Sequence, residues 1–381
     1  MLLPIGENDL YKHDNLGVAW VSGITAESQG IARTSGVCSG DLEEQTKKAY
    51  KNLELVLSRT GHTLKDITKI IYYIDPRAVP AFNQAIGVRA ELFGIDQLPA
   101  VTAVAVHSLI DKGALVKIEA IADRNGKKTV HYPDQRNDWK LPYKPCWDGG
   151  NVLWVAGLVA RSYDSLGVPL WPSNLVGQTE AIYRRAEIML SRAGLQFSDV
   201  VNLVDYVVPE GYKDYQQANQ VRKKYFKDQP PACTTVVVDK LLADDALVET
   251  DMFAVRDGNR VDISLTSTSS ISPDGVKKGS LVFIGGQVAS DLSPKDTKVQ
   301  ATECLNNIDG LLEQAGGNKQ NITRLVAYIS EQAFGDYDEV LGAIEHYFSG
   351  SPPSVTAVAV QNLSDPNQNI MMNAVADLST D

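Results

Sequence analysis

The sequence predicts an α+β fold in which three similar domains, fused in one chain, close into a ring with sheets inside and helices outside. A repeated strand motif is the first observation behind this prediction; it reads Pro99-Ala-Val-Thr-Ala-Val, Pro231-Ala-Cys-Thr-Thr-Val and Pro353-Ser-Val-Thr-Ala-Val. Constant spacing is the second: 133 residues separate Gln45 from Gln178, and 133 separate Gly61 from Gly194. A period of this size indicates whole domains, because solenoid units usually run to roughly 20–50 residues.

A third copy follows at a slightly shorter period. The distance from Gln178 to Gln300 is 122 residues, as is the distance from Gly194 to Gly316. The length of 381 residues suits three domains, each large enough to bury a core without a disulfide or metal. We place the domains at 1–125, 126–257 and 258–381.

Each copy is predicted to contain strands and helices in the order β, α, β, α, β, β. The first helix of the first copy places Ala49, Leu53, Val56 and Leu57 on one apolar face, and the glycine that follows fits a left-handed cap. The central strand is rich in Tyr, Val and Ile, which favour strands. The early strands are predicted at 17–23, 151–157 and 280–286, the first helices from Gln45, Gln178 and Gln300, and the central strands from Ile67, Val200 and Ile322.

Ring closure is predicted because two helices cover only one face of each sheet. The other face needs cover, and three fused copies can bury their sheet faces against each other. Fusion also keeps the copies at high effective concentration. We therefore expect a monomer that acts as a pseudo-trimer, with a higher oligomer left open.

Composition excludes several classes of partner. A net charge of −11 and a pI near 5 argue against nucleic acid or an anionic membrane, which require basic patches. The sequence has no apolar run long enough to span a bilayer and no secretory signal at its start. The four cysteines are scattered, which is typical of free thiols in a reducing, cytoplasmic protein. Neither a metal site nor a cofactor is expected, because no His/Cys ligand spacing, P-loop or dinucleotide motif is present.

The copies resemble the Rid family, also called YjgF/YER057c/UK114, over essentially the whole chain. The resemblance depends on Val21-Ser22-Gly23, the Gln-Thr helix starts, and the run Leu109-Ile-Asp-Lys-Gly-Ala-Leu-Val-Lys-Ile-Glu119. It implies chorismate-mutase-like domains, with sites in the clefts between neighbouring domains. Many members hydrolyse enamines or imines to a ketone and ammonia.

The resemblance also implies site residues, which this chain matches only in part. Family members grip the substrate carboxylate with an arginine after Pro-Ala; Val101, Cys233 and Val355 stand there instead. Valine and cysteine cannot bind a carboxylate in the bidentate way of arginine. We align the acid that positions water with Glu119, Asp251 and Asn373, and the helix asparagine with Ile86, Asn219 and Leu341.

These positions give the candidate site residues, each with an alternative interpretation. Cys233 is a candidate nucleophile or a small apolar residue, with Thr234 beside it as a polar contact. Asp251 and Glu119 are candidate general bases or strand-edge acids that share a face with Glu249 or Lys117. The candidate substrate-binding residues are Asn219, Thr234, Arg161, which could restore an anion grip, and Tyr143, which takes the place of the family's early tyrosine.

Three functions are compatible with the sequence. The first is a small-molecule hydrolase that acts on a C–N bond of an enamine, imine or amide-like substrate in an interdomain cleft. The second is a metabolite-binding protein without catalysis, since the arginine is absent three times. The third is a ring-opening amidohydrolase, for which we find no repeated Ser–Lys pairs. RNA cleavage, sometimes attributed to the family, fits the acidic charge least.

Overall fold

Each repeat folds into a mixed sheet with two long helices, in a computed structural model that describes residues 11–13, 17–28, 37–133, 141–163, 169–265, 272–292, 296–349 and 352–379. In repeat 1 the strand order is β1-β2-β5-β3-β4, with β3 and β4 parallel and the other pairs antiparallel. The elements are β1 Tyr11–His13, β2 Val18–Ile24, α1 Leu42–Arg59, β3 Ile67–Ile74, α2 Asn83–Phe93, β4 Ala100–Ala105 and β5 Val116–Asp123.

Repeat 2 keeps this plan and adds short strands. The order of its sheet is β11-β10-β13-β7-β6, β8 and β9 form a separate ribbon, and β12 extends the sheet of repeat 1 beside β4. The elements are β6 Cys146–Trp147, β7 Val152–Val155, β8 Ser162–Tyr163, β9 Pro169–Leu170, α3 Leu175–Arg192, β10 Val200–Val207, α4 Pro209–Tyr212, α5 Tyr215–Phe226, β11 Ala232–Val237, β12 Lys240–Leu241 and β13 Val248–Val255.

Repeat 3 begins with a β-ribbon and then follows the same plan. Its strand order is β14-β15-β16-β19-β17-β18. The elements are β14 Arg260–Ile263, β15 Gly275–Lys278, β16 Leu281–Gln287, α6 Thr297–Ala315, β17 Ile322–Ser330, α7 Tyr337–Tyr347, β18 Ser354–Val360 and β19 Ile370–Asp377. The predicted α+β class and the three tandem copies are thus confirmed.

The first helix of each repeat begins three residues before its predicted start. Asp41, Asn174 and Asp296 are the N-caps, and each side chain accepts a hydrogen bond from a backbone N–H in the first turn, which satisfies donors that a helix leaves free. The glycines predicted to end these helices have φ values of +69°, +71° and +85° at Gly61, Gly194 and Gly316, in the left-handed region.

Two kinds of apolar cluster hold the repeats together. Three clusters lie between a sheet and the helices of the same repeat. Two further clusters draw all their members from strands and loops, and each contains residues of all three repeats. The equivalent residues Tyr73, Tyr206 and Tyr328 are buried together in one of them. The sheet faces opposite the helices therefore pack against one another.

Three seams join the repeats in a closed ring. Seam 1–2 lies between β4 and β7, seam 2–3 between β11 and β16, and seam 3–1 between β18 and β2. At seam 1–2 the Gly157 N–H donates to the carbonyl of Val101 over 3.0 Å. At seam 3–1 the Val355 N–H donates to Ser22 Oγ over 3.0 Å. None of the described helices is both long and apolar enough to cross a bilayer.

Candidate active site

A cavity of about 590 Å³ opens at seam 1–2, a volume typical of small-molecule sites. Residues that precede and begin α2 form one wall, β4 contributes part of the floor, and segments of repeat 2 form the opposite wall. Most of the lining is apolar, with a few polar side chains among it. The polar lining residues are Asn83, Arg89, Tyr143, Arg161 and Glu249, and the apolar ones include Val79, Phe82, Ile86, Val101, Val159 and Leu242.

Glu249 on β13 is the carboxyl group of this cavity. Its residue is 7% exposed, and the Ala103 N–H of repeat 1 donates to Oε1 over 3.2 Å. Burial raises the pKa of Glu249 to about 8, although the Ala103 N–H opposes the shift. A carboxyl group that exchanges its proton near neutral pH is suited to general acid–base chemistry.

The other two repeats have no carboxylate at the position of Glu249. Glu249 pairs with Tyr206 in its sheet, whereas Lys117 pairs with Tyr73 and Met371 with Tyr328 at the same register. A glycine of the early strand lies beside each of the three side chains: a Cβ on Gly157 would lie 2.0 Å from Glu249 Oε1. At this position seam 1–2 therefore has an acidic side chain, whereas the other two seams have a lysine and a methionine.

Tyr143 and Arg161, both predicted to bind substrate, line the same cavity as Glu249. The Arg161 Cζ atom lies 5.9 Å from the ring centroid of Trp171. Pro142, next to Tyr143, accepts hydrogen bonds from Arg89 Nε and Nη2 at 3.1 and 2.8 Å. Arg89 thereby ties α2 of repeat 1 to the tyrosine segment of repeat 2.

Asp251, two residues after Glu249 on the same strand face, is bound to a buried cation. Lys69 Nζ of repeat 1 lies 2.6 Å from Asp251 Oδ1 and also donates to Thr102 Oγ1 over 2.7 Å. Burial lowers the pKa of Lys69, and Asp251 opposes this effect. Because both ions are almost fully enclosed, we interpret the pair as a seam contact.

Glu119 has the same arrangement at seam 3–1. Arg324 Nε of repeat 3 donates to Glu119 Oε1, and the Tyr73 hydroxyl donates to Oε2 over 3.2 Å. At seam 2–3 the corresponding residues are neutral: Asn202 and Asn373 stand where the other seams have a cation and an acid. Asn373 Nδ2 donates to Thr234 Oγ1 over 3.2 Å.

Cys233, Thr234 and Asn219 belong to repeat 2 on the side of seam 2–3, apart from the lining of the cavity described above. The Ser272 hydroxyl donates to Cys233 Sγ over 3.3 Å. Burial raises the pKa of the Cys233 thiol, which favours the less nucleophilic neutral form. Asn219 Oδ1 accepts from Arg222 Nη1 over 2.6 Å, and Thr234 is buried.

The predicted residues are thus distributed over three seams. Tyr143 and Arg161 both line the cavity at seam 1–2, and Asp251 lies in the neighbouring ion pair. Glu249 and Arg89 line the cavity but were not among the predicted site residues, although strand alternation already put Glu249 on the face of Asp251. Within the described part of the chain, no group of three or more His, Cys, Asp or Glu side chains is arranged to hold a metal ion.

The fold therefore defines a class of protein in which three α+β domains are fused in one chain and a cavity lies between two of them. The sequence model of the family described as Endoribonuclease L-PSP matches residues 13–124, 136–256 and 264–378. The chain belongs to this family and contains three copies of the family's domain. This agrees with the resemblance to YjgF-type proteins that the repeated motifs indicated.

The curated relatives match about a quarter to a third of the chain. A RutC family protein from Saccharolobus solfataricus is 32% identical over 118 residues, which is 30% of this chain and 87% of that protein. Protein DfrA of Myxococcus xanthus is 29% identical over 134 residues, 35% of this chain and 98% of that protein. A YjgF/YER057c/UK114 family structure from Mycobacterium tuberculosis covers 31% of this chain and 99% of its own, with 24% identity and a TM-score of 0.28.

Some similarity to solved structures extends beyond a single repeat. A crystal structure of chorismatase covers 82% of this chain and 93% of its own, with a TM-score of 0.50 and 14% sequence identity. At this identity the similarity shows the fold alone. It extends over more than two repeats and so concerns the arrangement of domains as well as the single domain.

Proposed function

We propose that the protein is a small-molecule hydrolase that acts on a C–N bond of an imine or enamine in the cavity at seam 1–2. The observation that carries this proposal is Glu249, a buried carboxyl group with a pKa near 8 in a mostly apolar cavity that Tyr143 and Arg161 also line. Membership of a family in which many proteins hydrolyse imines supports the same chemistry.

Hydrolysis requires proton transfers to nitrogen and from water, and one carboxyl group can perform both. Glu249 begins protonated at neutral pH and gives its proton to the imine nitrogen, which makes the carbon more electrophilic. The resulting carboxylate takes a proton from the water whose oxygen attacks that carbon. Glu249 then protonates the carbinolamine nitrogen. As the C–N bond breaks, the carbinolamine hydroxyl returns its proton to the Glu249 carboxylate, so that ammonia and a ketone leave and the protonated carboxyl group is regenerated.

Tyr143 and Arg161 are proposed to orient the substrate. A tyrosine hydroxyl can donate to a polar group of the ligand while its ring packs against an apolar part. The guanidinium of Arg161 is suited to an anionic group. The catalytic roles predicted for Cys233, Asp251 and Glu119 stay predictions, as do a cytoplasmic location and a monomeric state.

The test is turnover of imines by the full-length chain. Imines are generated in situ from amino acids with an amino-acid oxidase, and ketone and ammonia release are followed with and without semicarbazide, which competes for the imine. We expect the wild type to accelerate release and Glu249→Gln to lower kcat/KM by about 10²–10⁴-fold. Met371→Leu changes the equivalent position of another repeat and is the matched control, with activity unchanged.

Two outcomes would refute the proposal. Full turnover by Glu249→Gln would exclude Glu249 as the proton-transfer group. Silence of the wild type across imines, enamines and amides, together with tight binding of a small molecule in the cavity, would favour the metabolite-binding alternative.

A further inference from the structure

Arg89 is a buried cation that lacks an acidic partner. It lies on α2, is 1% exposed and lines the cavity at seam 1–2. Nε and Nη2 donate to the Pro142 carbonyl, but Nη1 has no hydrogen-bond partner. Its electrostatic neighbours are tyrosine hydroxyls, among them Tyr72, whose ring centroid lies 5.3 Å from Cζ. Across the described ranges, no carboxylate forms an ion pair with Arg89.

The equivalent arginine of repeat 2, Arg222, has a carboxylate as its partner. Arg222 lies four residues before the end of α5, as Arg89 does on α2. Its Nη2 donates to Asp205 Oδ2, which also accepts from the Tyr215 hydroxyl over 2.8 Å. Asp205 pairs with Thr235 of β11, and the residue at that register in repeat 1 is Tyr72, which pairs with Ala103 of β4.

The internal comparison shows what is missing around Arg89. Arg89 and Arg222 are buried to a similar degree. Arg89, which has Tyr72 at the position where Arg222 has Asp205, is the arginine that lines the cavity. A buried charge without a counter-ion is unfavourable, because burial removes its hydration. An anion bound in the cavity would supply the charge that Asp205 supplies to Arg222.

We propose that Arg89, together with Arg161, forms an anion-binding subsite of the seam 1–2 cavity, and that the ligand is a small organic anion with an apolar portion. Because Val101 on β4 is apolar and cannot bind an anion, the guanidinium group of the subsite is supplied by Arg89 on α2. The apolar walls around Phe82 and Ile86 suit the hydrocarbon part. This inference uses the cavity of the proposed function, but binding of an anion does not depend on turnover.

Calorimetric titration of the full-length chain with unreactive probes tests the subsite. Benzoate and neutral benzamide have nearly the same shape, and phenyl phosphate separates a phosphate preference from a carboxylate preference. We expect at least one of the two anions to bind, and benzamide to bind at least tenfold more weakly. Arg89→Met is expected to weaken anion binding at least tenfold, whereas Arg89→Lys retains part of it.

Arg222→Met is the matched control. It leaves Asp205 buried without its cation and is expected to lower the thermal midpoint while anion affinity stays at the wild-type value. Arg89→Met removes an unfavourable buried charge but also the two hydrogen bonds to the Pro142 carbonyl. Because these effects oppose each other, the thermal midpoint of the ligand-free protein is expected to change less than in Arg222→Met. If Arg222→Met does not fold, Arg222→Lys takes its place.

Three results would overturn the subsite. They are equal affinity for benzoate and benzamide, wild-type anion affinity in Arg89→Met, and no binding of either anion by the wild type at 10-fold molar excess and millimolar concentration. Failure of turnover with intact anion binding would instead refute the proposed hydrolysis and leave the subsite standing. Turnover of neutral imines without anion binding would refute the subsite and leave the proposed hydrolysis standing.

Discussion

The raised pKa of Glu249 predicts a pH-dependent cost to stability that Glu249→Gln removes. The pKa is about 8 in the folded protein against an ordinary value of 4.5. Because the folded pKa is the higher one, the stability contributed by the protonated carboxyl is complete below pH 4.5 and is lost as the pH rises towards 8. A separation of about 3.5 pH units at 1.36 kcal/mol per unit corresponds to roughly 5 kcal/mol.

Glutamine keeps the size of the side chain and an oxygen that can accept from the Ala103 N–H, but it does not titrate. We therefore expect the free energy of unfolding of the variant, relative to wild type, to rise between pH 5 and 8 by an amount on the order of several kcal/mol, and then to level off. Other titrating groups are common to both proteins and cancel in the difference.

Denaturant unfolding of both proteins at intervals from pH 5 to 9 measures this difference. Glu345→Gln, which changes an exposed glutamate of α7, is the control, and its difference from wild type should stay small throughout. A difference between wild type and Glu249→Gln that does not vary with pH would refute the reasoning. It would mean that Glu249 titrates as it does in water.

Three further predictions concern Asp251, Cys233 and Gly157. Asp251→Asn leaves Lys69 buried without its counter-ion, so we expect a loss of about 3–5 kcal/mol in unfolding free energy by denaturant titration; a loss below 1 kcal/mol would contradict a tight seam pair. Because burial raises the pKa of the Cys233 thiol and Cys233 lies outside the lining of the cavity, Cys233→Ala and Cys233→Ser should both keep full imine turnover; loss of activity in both would support the nucleophile hypothesis. Gly157→Ala places a Cβ against the carboxyl of Glu249, so turnover should fall at least tenfold, whereas Gly342→Ala, with no atom near the added Cβ, should leave it unchanged.

The repeated motifs were sufficient to predict the fold because each element is encoded by its own local pattern three times. The central strands begin and end close to where their composition indicated, since buried Tyr, Val and Ile runs define them. The helix starts were displaced by one turn because Asp41, Asn174 and Asp296 cap the backbone ahead of the first apolar position. A capping signal is local, and it was available in the sequence.

The site was predictable only in part because its residues meet across a seam. Strand alternation tells which face a side chain occupies, but it does not tell whether Asp251 or Glu249 reaches the cavity. That choice depends on Lys69, which comes from another repeat and binds Asp251. Likewise, the missing partner of Arg89 becomes visible only when Tyr72 is compared with Asp205 in the register of the two sheets.

The ion pairs between repeats have a consequence for how the three units depend on each other. Each ion pair joins a central-strand residue of one repeat to a last-strand residue of the next, Lys69 to Asp251 and Arg324 to Glu119. Neutral Asn202 and Asn373 stand at the equivalent positions of seam 2–3. A ring built from repeat 1 alone would oppose lysine to glutamate and stay neutral. Rings of repeat 2 or repeat 3 alone would each bury three like charges without a counterion. Repeats 2 and 3 therefore each carry a buried charge at this position that repeat 1 balances.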